Sequence, residues 1–256
     1  MRVLLTIQYL GTNYHGWQIQ PGKITVQGCL EQAIQKALGE QCETFVSGRT
    51  DAGVHAWAQC AHFDTNTRIA PDKIAYILNR FLPADIRVLK SQQVSDDFNA
   101  RFDVTKKTYQ YQFYASDQDL PLLDATFARV RTDFCFKKAR HACKYFLGTH
   151  DFQSFCSTGR QTKTTVRTIY AITLDDLGES KYRLSVTGNG FLYNMVRIIA
   201  GTLIDVGCGL IESKDIPQII KQCDRTKAGK TAQAKGLTLK QVEYDKVKLV
   251  PNTKRI

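Results

Sequence analysis

The feature that most restricts this chain is the order of its periodicities: strand, helix, strand, strand, helix, strand, after which the same order begins again. "VLLTIQY" has the apolar and β-branched composition of a strand. Thr25 then caps a helix in which Val26, Cys29, Leu30, Ala33, Ile34, Ala37 and Leu38 keep helical spacing until Gly39 stops it. "ETFVS" and "AQCAHFDT" read as strands, Pro71 opens a second helix with Ile74, Ile77, Leu78 and Phe81 on one face, and "IRVLKSQQV" returns as a strand. The second round runs through "TYQYQFY", a helix from Asp133 to Phe146, and a hairpin of "TTVRTIYAITL" and "YRLSVTG" around Leu177-Gly178. It closes with the helix "YNMVRIIAGTLI" and the strand "LTLKQVEY". An added helix, "SKDIPQIIKQC", with Ser213 as its expected cap, precedes that last strand.

Two βαββαβ units predict an α+β protein of two ferredoxin/RNP-like halves, residues 1–104 and 105–256, each sheet covered by helices. No Gly/Ser-rich linker lies around Asp103 to Lys107, so the halves are expected to share one mixed, largely antiparallel sheet with a central cleft. A 43% hydrophobic composition over 256 residues supplies a core of that size. No run approaches the ~18 apolar residues of a membrane span. "MRVLLTIQYLGTNYHGW" has too brief an apolar stretch and no small-residue cleavage site for a signal peptide, so a cytoplasmic location is expected. Cys29, Cys42, Cys60, Cys135, Cys143, Cys156, Cys208 and Cys223 are scattered without metal-ligand spacing, which predicts reduced thiols, mostly in the core, and no structural metal.

A formal net charge of +11 and a pI near 9.3 favour a polyanionic partner. "RVRTDFCFKKARHACK", "GRQTKTTVR" and "DRTKAGKTAQAK" carry local positive excess, each either a solvated face or a phosphate contact. An open sheet with a cleft across it would seat a nucleic acid.

Chemistry concentrates in "SGRTDAGVHAWAQC", Ser47 to Cys60. Thr50, Asp51, Ala52 and Gly53 make a tight turn flanked by an arginine and a histidine, so Asp51 either shapes the chain or reacts. "KKTYQYQFY" places Tyr109, Tyr111 and Phe113 on one strand face behind Lys106 and Lys107, either as core or as a base-stacking platform with phosphate contacts. In "NGFLYNMVRIIAG", Met195, Ile198, Ile199, Thr202 and Val206 form a buried stripe, and Arg197 projects from its flank near the helix start. An arginine there either snorkels or pairs on the surface, or points inward and needs a carboxylate, for which Asp51 is a candidate. The roles of His55 and His62 stay open, a hydrogen-bonded structural histidine being the simpler reading of each.

Together these stretches resemble the TruA-type tRNA pseudouridine synthases. The resemblance is carried by "GRTDAGVHAWAQ", "YHGWQIQ...TVQGCLEQAI", "FNARF" at Phe98 to Phe102, "KKTYQYQFY", "HDFQSFCSTG" and "GFLYNMVRIIAGTL", in order along nearly the whole chain. It implies that Asp51 is catalytic, that Tyr109 contacts the target base, and that Arg197 pairs with Asp51. It further associates Arg49 with entry of the flipped nucleotide and Arg101 with RNA contact. Phe98, Lys106, Lys107, Arg160 and Lys163 complete the expected RNA-binding set. The implied protein is a homodimer that uses no cofactor and isomerises uridines 38, 39 and 40 in the tRNA anticodon arm. Two departures stand out: Leu10 where the family usually has an aspartate, and Gln233 where it has a proline.

An ionised carboxylate can attack C1′ or the base, or remove the 2′ proton, and the sequence leaves all three routes open. Two other functions fit the same basic groove: a pseudouridine synthase of different RNA specificity, and a non-catalytic tRNA-binding or folding factor.

Overall fold

The structure, a computed structural model, describes residues 1–159, 164–245 and 247. The chain divides into two compact units: Met1–Lys106 together with the chain from Leu239 onward, and Lys107–Thr238. By order in sequence the closing strand goes with the second repeat; by packing, its residues from Leu239 go with the first unit.

In the first unit the order is β1 (Arg2–Tyr9), α1 (Val26–Leu38), β2 (Phe45–Val46), β3 (His55–Asp64), α2 (Pro71–Leu78) and β4 (Ile86–Val94). β1 lies between β4 and β3, antiparallel to both, and β2 pairs with β3. Val3, Leu5 and Ile7, two residues apart, are fully buried, as strand periodicity demands. α1 begins where expected: Gly28 N donates to Thr25 Oγ1 at 3.3 Å. Its C-cap, Gly39, takes φ 74°, the left-handed cap that glycine adopts without steric cost.

Two expectations shift here. The "ETFVS" strand shortens to two residues, and β3 starts at His55 rather than Ala58. Phe81 is 44% exposed and not part of the buried α2 face. The helix ends at Leu78 because the Asn79 side chain turns to β4, donating to Val88 O and accepting from Val88 N, both at 2.8 Å.

The second unit contains β5 (Val104–Ala115, from Lys107), β6 (Ala128–Val130), α3 (Phe136–Ala142), β7 (Gly148–Asp151), β8 (Val166–Gly178), β9 (Lys181–Gly188), α4 (Met195–Gly207) and α5 (Ile216–Gln222). β10 (Leu237–Tyr244) closes the order. Its strands run β5-β9-β8-β7 with antiparallel pairing, while β6 joins β5 in parallel, so the sheet is mixed and largely antiparallel. The fold is α+β, as the periodicities predict.

Here too the structure refines the expectations. The Asp133–Phe146 helix is α3 followed by a 3-10 turn, Cys143–Phe146. The hairpin turns at Glu179-Ser180, with φ 50° and 56°, rather than at Leu177-Gly178. Two consecutive positive φ values are those of a two-residue type I′ turn, whose twist matches that of the strands. Ser213 lies inside a 3-10 turn, Ser213–Asp215, and makes no cap bond to α5. β6 and β7, three and four residues long, are too short to leave a periodic signal. All eight cysteines are free thiols. Among the described residues no helix is long and apolar enough to cross a membrane.

Candidate active site

The Asp51 segment is irregular backbone pinned along its length. The turn spans Asp51 to Val54, one residue later than the sequence reading, with Val54 N donating to Asp51 O at 3.2 Å. Gly53 at its third position has φ 77°, the value a type II turn requires there. The chain at residues 9–17 holds the turn from outside. Trp17 N donates to Thr50 O at 3.0 Å and Gly53 N to Tyr14 O at 3.3 Å. The hydroxyls of Tyr9 and Thr50 share a buried 2.8 Å hydrogen bond. Burial pushes the Tyr9 phenol up to about 12, so it stays neutral and can donate.

Contact is close enough to dictate glycine. A Cβ on Gly16, which has φ 83°, would sit 2.5 Å from Thr50 O, and one on Gly11 would sit 2.0 Å from Val54 O. Upstream of the turn, Ser47 Oγ donates to Gln59 Oε1 at 2.6 Å, and Gln59 Nε2 donates to Gly48 O at 2.9 Å. Asp51 is half-buried and Arg49 exposed on this frame.

Both histidines accept a backbone hydrogen bond. His55 Nδ1 accepts from Gly11 N at 2.8 Å, which places the neutral ring's proton on Nε2. His62 Nδ1 accepts from Ala100 N at 3.1 Å. Burial, with the Arg2 charge second, lowers the His62 pKa to about 4 and keeps it neutral.

That second histidine anchors the "FNARF" loop. Tyr244 Oη donates to Ala100 O and Arg2 Nη1 to Phe98 O, each at 2.8 Å. Phe98 corrects a sequence expectation. Its ring is 1% exposed and packs edge-on to Tyr244 at 5.0 Å between centroids, so it holds the loop and offers no face to RNA. Phe102, which the sequence reading passed over, is 75% exposed, with the exposed Arg101 guanidinium 5.5 Å from its ring centroid.

In the second unit the aromatic row of β5 divides between the two readings left open. Tyr111 and Phe113 are core, at 0% and 3% exposure. Tyr109, at 8%, stands at the end of the row, edge-on to Phe191 with centroids 5.2 Å apart. The half-buried Arg197 near the start of α4 is held by two neutral acceptors: Nε donates to Ala232 O and Nη1 to Asn194 Oδ1, both at 2.8 Å. Asn194 has φ 61°, a left-handed backbone that asparagine tolerates, and its Nδ2 donates to Ser157 Oγ at 3.0 Å.

Residues 228–236 form a strap over α4. Ala232 N returns a hydrogen bond to Arg197 O at 3.1 Å. A Cβ on Gly201 would lie 1.8 Å from Lys230 O, so the strap seats against bare backbone. Gln233 in this strap has φ −57° and ψ 142°. That φ is the one a proline ring fixes, so the chain keeps a proline-compatible path without the proline. The other departure, Leu10, lies on the surface before a 3-10 turn, where its N–H donates to Asp85 O at 3.0 Å.

Of the remaining candidates, Lys106 is exposed and 3.9 Å from the Glu243 carboxylate, and Lys107 is half-buried on β5. Arg160 and Lys163 lie outside the described residues. Within the first unit the structure thus places Asp51 at the start of the turn with Arg49 two residues before it, and Arg101 and Lys106 on other segments; within the second it presents Tyr109 and Arg197. Sequence reasoning missed Tyr9, Gly11, Gly16 and Trp17 as the frame of the turn, and Asn194 and the strap as the frame of Arg197. Among the described residues no group of three or more His, Cys, Asp or Glu side chains is placed to hold a metal.

Comparison with known proteins agrees with these motifs. A family profile described as tRNA pseudouridine synthase matches residues 5–103 and 142–245. The chain is 46% identical over 243 residues to tRNA pseudouridine synthase A of Ruminiclostridium cellulolyticum, covering 95% of this chain and 99% of that one. It is 47% identical over 243 residues to tRNA pseudouridine synthase A of Acetivibrio thermocellus, covering 94% and 99% respectively. Among solved structures it is similar to an archaeal box H/ACA sRNP Nop10-Cbf5 complex at TM-score 0.36 and 13% identity, covering 79% of this chain and 44% of that one, a likeness too distant to bear on function. Matched by that profile along most of its length and by these relatives over 94–95% of it, the chain belongs to the tRNA pseudouridine synthase family.

Proposed function

We propose that this enzyme isomerises uridine to pseudouridine at positions 38, 39 and 40 of the tRNA anticodon arm, with Asp51 as the reacting carboxylate. The observation that carries the reading is the Asp51 turn: a half-buried carboxylate on backbone fixed by Tyr9, Tyr14 and Trp17 and by two glycines that exclude any side chain. A surface turn serving only to reverse the chain needs no such frame.

The reaction conserves every atom. The N1–C1′ bond breaks, the uracil turns within the site, C5 bonds to C1′, and the C5 proton is lost as N1 gains one. No electrons are exchanged with a second substrate, so the chemistry calls for no redox cofactor. Asp51 must be ionised to attack or to abstract a proton. Arg197, with its guanidinium already oriented by Asn194 and Ala232, is the proposed counter-charge. Tyr109 is proposed to stack on the base, and Arg49 to occupy the vacated stack or grip the flipped nucleotide's phosphate. Arg101, Lys106 and Lys107 are proposed as backbone contacts, with the exposed ring of Phe102 beside Arg101. The working form is proposed to be a cytoplasmic homodimer.

Mapping pseudouridine in tRNA from cells with and without this protein tests the substrate. Loss confined to positions 38, 39 and 40 is expected. Loss at other positions would favour a different specificity, and unchanged pseudouridine with altered tRNA folding would favour a binding factor.

A further inference from the structure

The proposed chemistry leaves unused a one-sided cluster of charge in the second unit. From Phe134 through His150 there is no Asp or Glu, whereas Lys137, Lys138, Arg140 and Lys144 are cations and His141 and His150 can become so. α3 and the 3-10 turn after it bury Ala139, Ala142, Cys143 and Phe146 and expose Lys137, Lys138, Arg140, His141 and Lys144. Lys137, Arg140 and Lys144 follow one another at helical spacing, so the cations share a face.

Elsewhere several basic side chains sit beside carboxylates. Arg2 meets Asp64 at 2.8 Å, Arg129 meets Asp119 at 2.9 Å, and Arg131 meets Asp133 and Lys181 meets Glu179 at 2.6 Å. On the α3 face the described contacts of the cations are with aromatic rings instead: Arg140 lies 5.8 Å from the Phe136 centroid and Lys144 lies 5.0 Å from that of Tyr145. Like charges three and four residues apart repel along a helix. α3 has neither a side-chain N-cap nor an acidic residue in its first turn to offset that. It is held by packing: Cys135 N donates to Gly207 O at 2.9 Å, and Phe134 lies so close to Gly207 that a Cβ there would be 2.3 Å from its ring. This docks the start of α3 at the far end of α4 from Arg197, about 15 Å along the helix at roughly 1.5 Å per residue.

We propose that the exposed face of α3 is a second contact surface for the substrate tRNA, binding its sugar-phosphate backbone away from the target nucleotide. Each cation that replaces a condensed counterion on a phosphate adds affinity that falls with salt. Among the described residues no carboxylate lies within ion-pair distance of these side chains, so their charge faces outward toward a polyanion. The proposal rests on tRNA being the substrate, but it does not depend on which residue reacts.

The test compares the full-length protein with the triple variant Lys137→Gln, Lys138→Gln, Arg140→Gln. Dissociation constants for unmodified tRNA are measured across a salt series, alongside single-turnover rates at saturating tRNA. The expected result is an affinity loss of about tenfold or more at low salt, and a salt dependence shallower by about two, at roughly 0.7–0.9 per phosphate. The saturating rate and the circular dichroism spectrum are expected to be unchanged. Parental affinity and slope in the triple variant would overturn the proposal. So would an equal loss of slope in a control triple at the exposed Lys23, Lys36 and Lys73 of the first unit, because the effect would then be one of net charge. A parent that binds tRNA without salt dependence would instead count against tRNA as substrate, which separates the two failures.

Discussion

Asp51 and Arg197 are held in opposite ways. The carboxylate rides on a turn with no regular secondary structure, fixed by hydrogen bonds from residues 34 to 42 positions earlier in the chain: Tyr9, Tyr14 and Trp17. The guanidinium rides on the first turn of a helix whose own hydrogen bonds fix the backbone, and Asn194 and the strap at Ala232 help orient its tip. The difference teaches where each site is fragile. An irregular turn has no internal ladder beyond its one closing bond, so its geometry depends on neighbours, and a small displacement of one neighbour moves the reacting group. A helix keeps its path when one contact is lost, and the damage stays local.

The largest expected effect comes from breaking the frame of the turn. Gly16→Ala places a side chain at positive φ against Thr50 O, combining about 1–2 kcal/mol of left-handed strain with about 1–3 kcal/mol of overpacking. It should lower stability in urea unfolding by about 2–5 kcal/mol and abolish turnover. The corresponding change beside Arg197, Gly201→Ala, meets Lys230 O without the strain of a positive φ and should cost about 3 kcal/mol by overpacking. Turnover should fall through the displaced strap but remain measurable. Equal losses of turnover in these two variants would remove the distinction between the sites.

The first unit also carries a pH liability on β3. His62 has a folded pKa of about 4, below the ordinary value of 6.5, so the unfolded chain binds the proton first as pH falls. The stability this confers is complete above about pH 6.5 and is lost progressively toward pH 4. From about pH 7 to about pH 5 the loss should be about 2 kcal/mol. Urea unfolding at the two pH values, compared with His62→Gln, checks this: the substitution should flatten the dependence.

Tyr9→Phe sharpens the comparison at the smallest scale. It removes the hydroxyl bond to Thr50 and keeps the ring, costing about 0.5–1.5 kcal/mol of stability. If the turn depends on its neighbours as described, turnover should fall by more than tRNA affinity does. Matched changes in both would mean that Tyr9 only supports the fold.

How much of this was legible beforehand follows from the range of the interactions. α1 was readable because Thr25 and Gly39 act on adjacent backbone, and the closing strand because Leu237 and Leu239, then Val242 and Tyr244, are apolar residues two apart. Asp51 and Arg197 were readable as residue types in an order that resembles one family. What escaped is what couples distant parts of the chain. The Tyr9–Thr50 bond spans 41 residues and that from Arg197 to Ala232 spans 35, and neither leaves a local pattern. Phe98 was misread for the same reason: its burial is decided by His62 and Tyr244, which no local pattern links to it.

The central claim is that Asp51 reacts and does not merely shape its turn. Single-turnover conversion of unmodified tRNA by Asp51→Asn, measured with its dissociation constant, tests this most directly, because asparagine keeps the shape of the side chain and removes its charge. The account predicts no pseudouridine at saturating enzyme, with affinity within about threefold of the parent. Measurable conversion by a verified Asp51→Asn protein would contradict it.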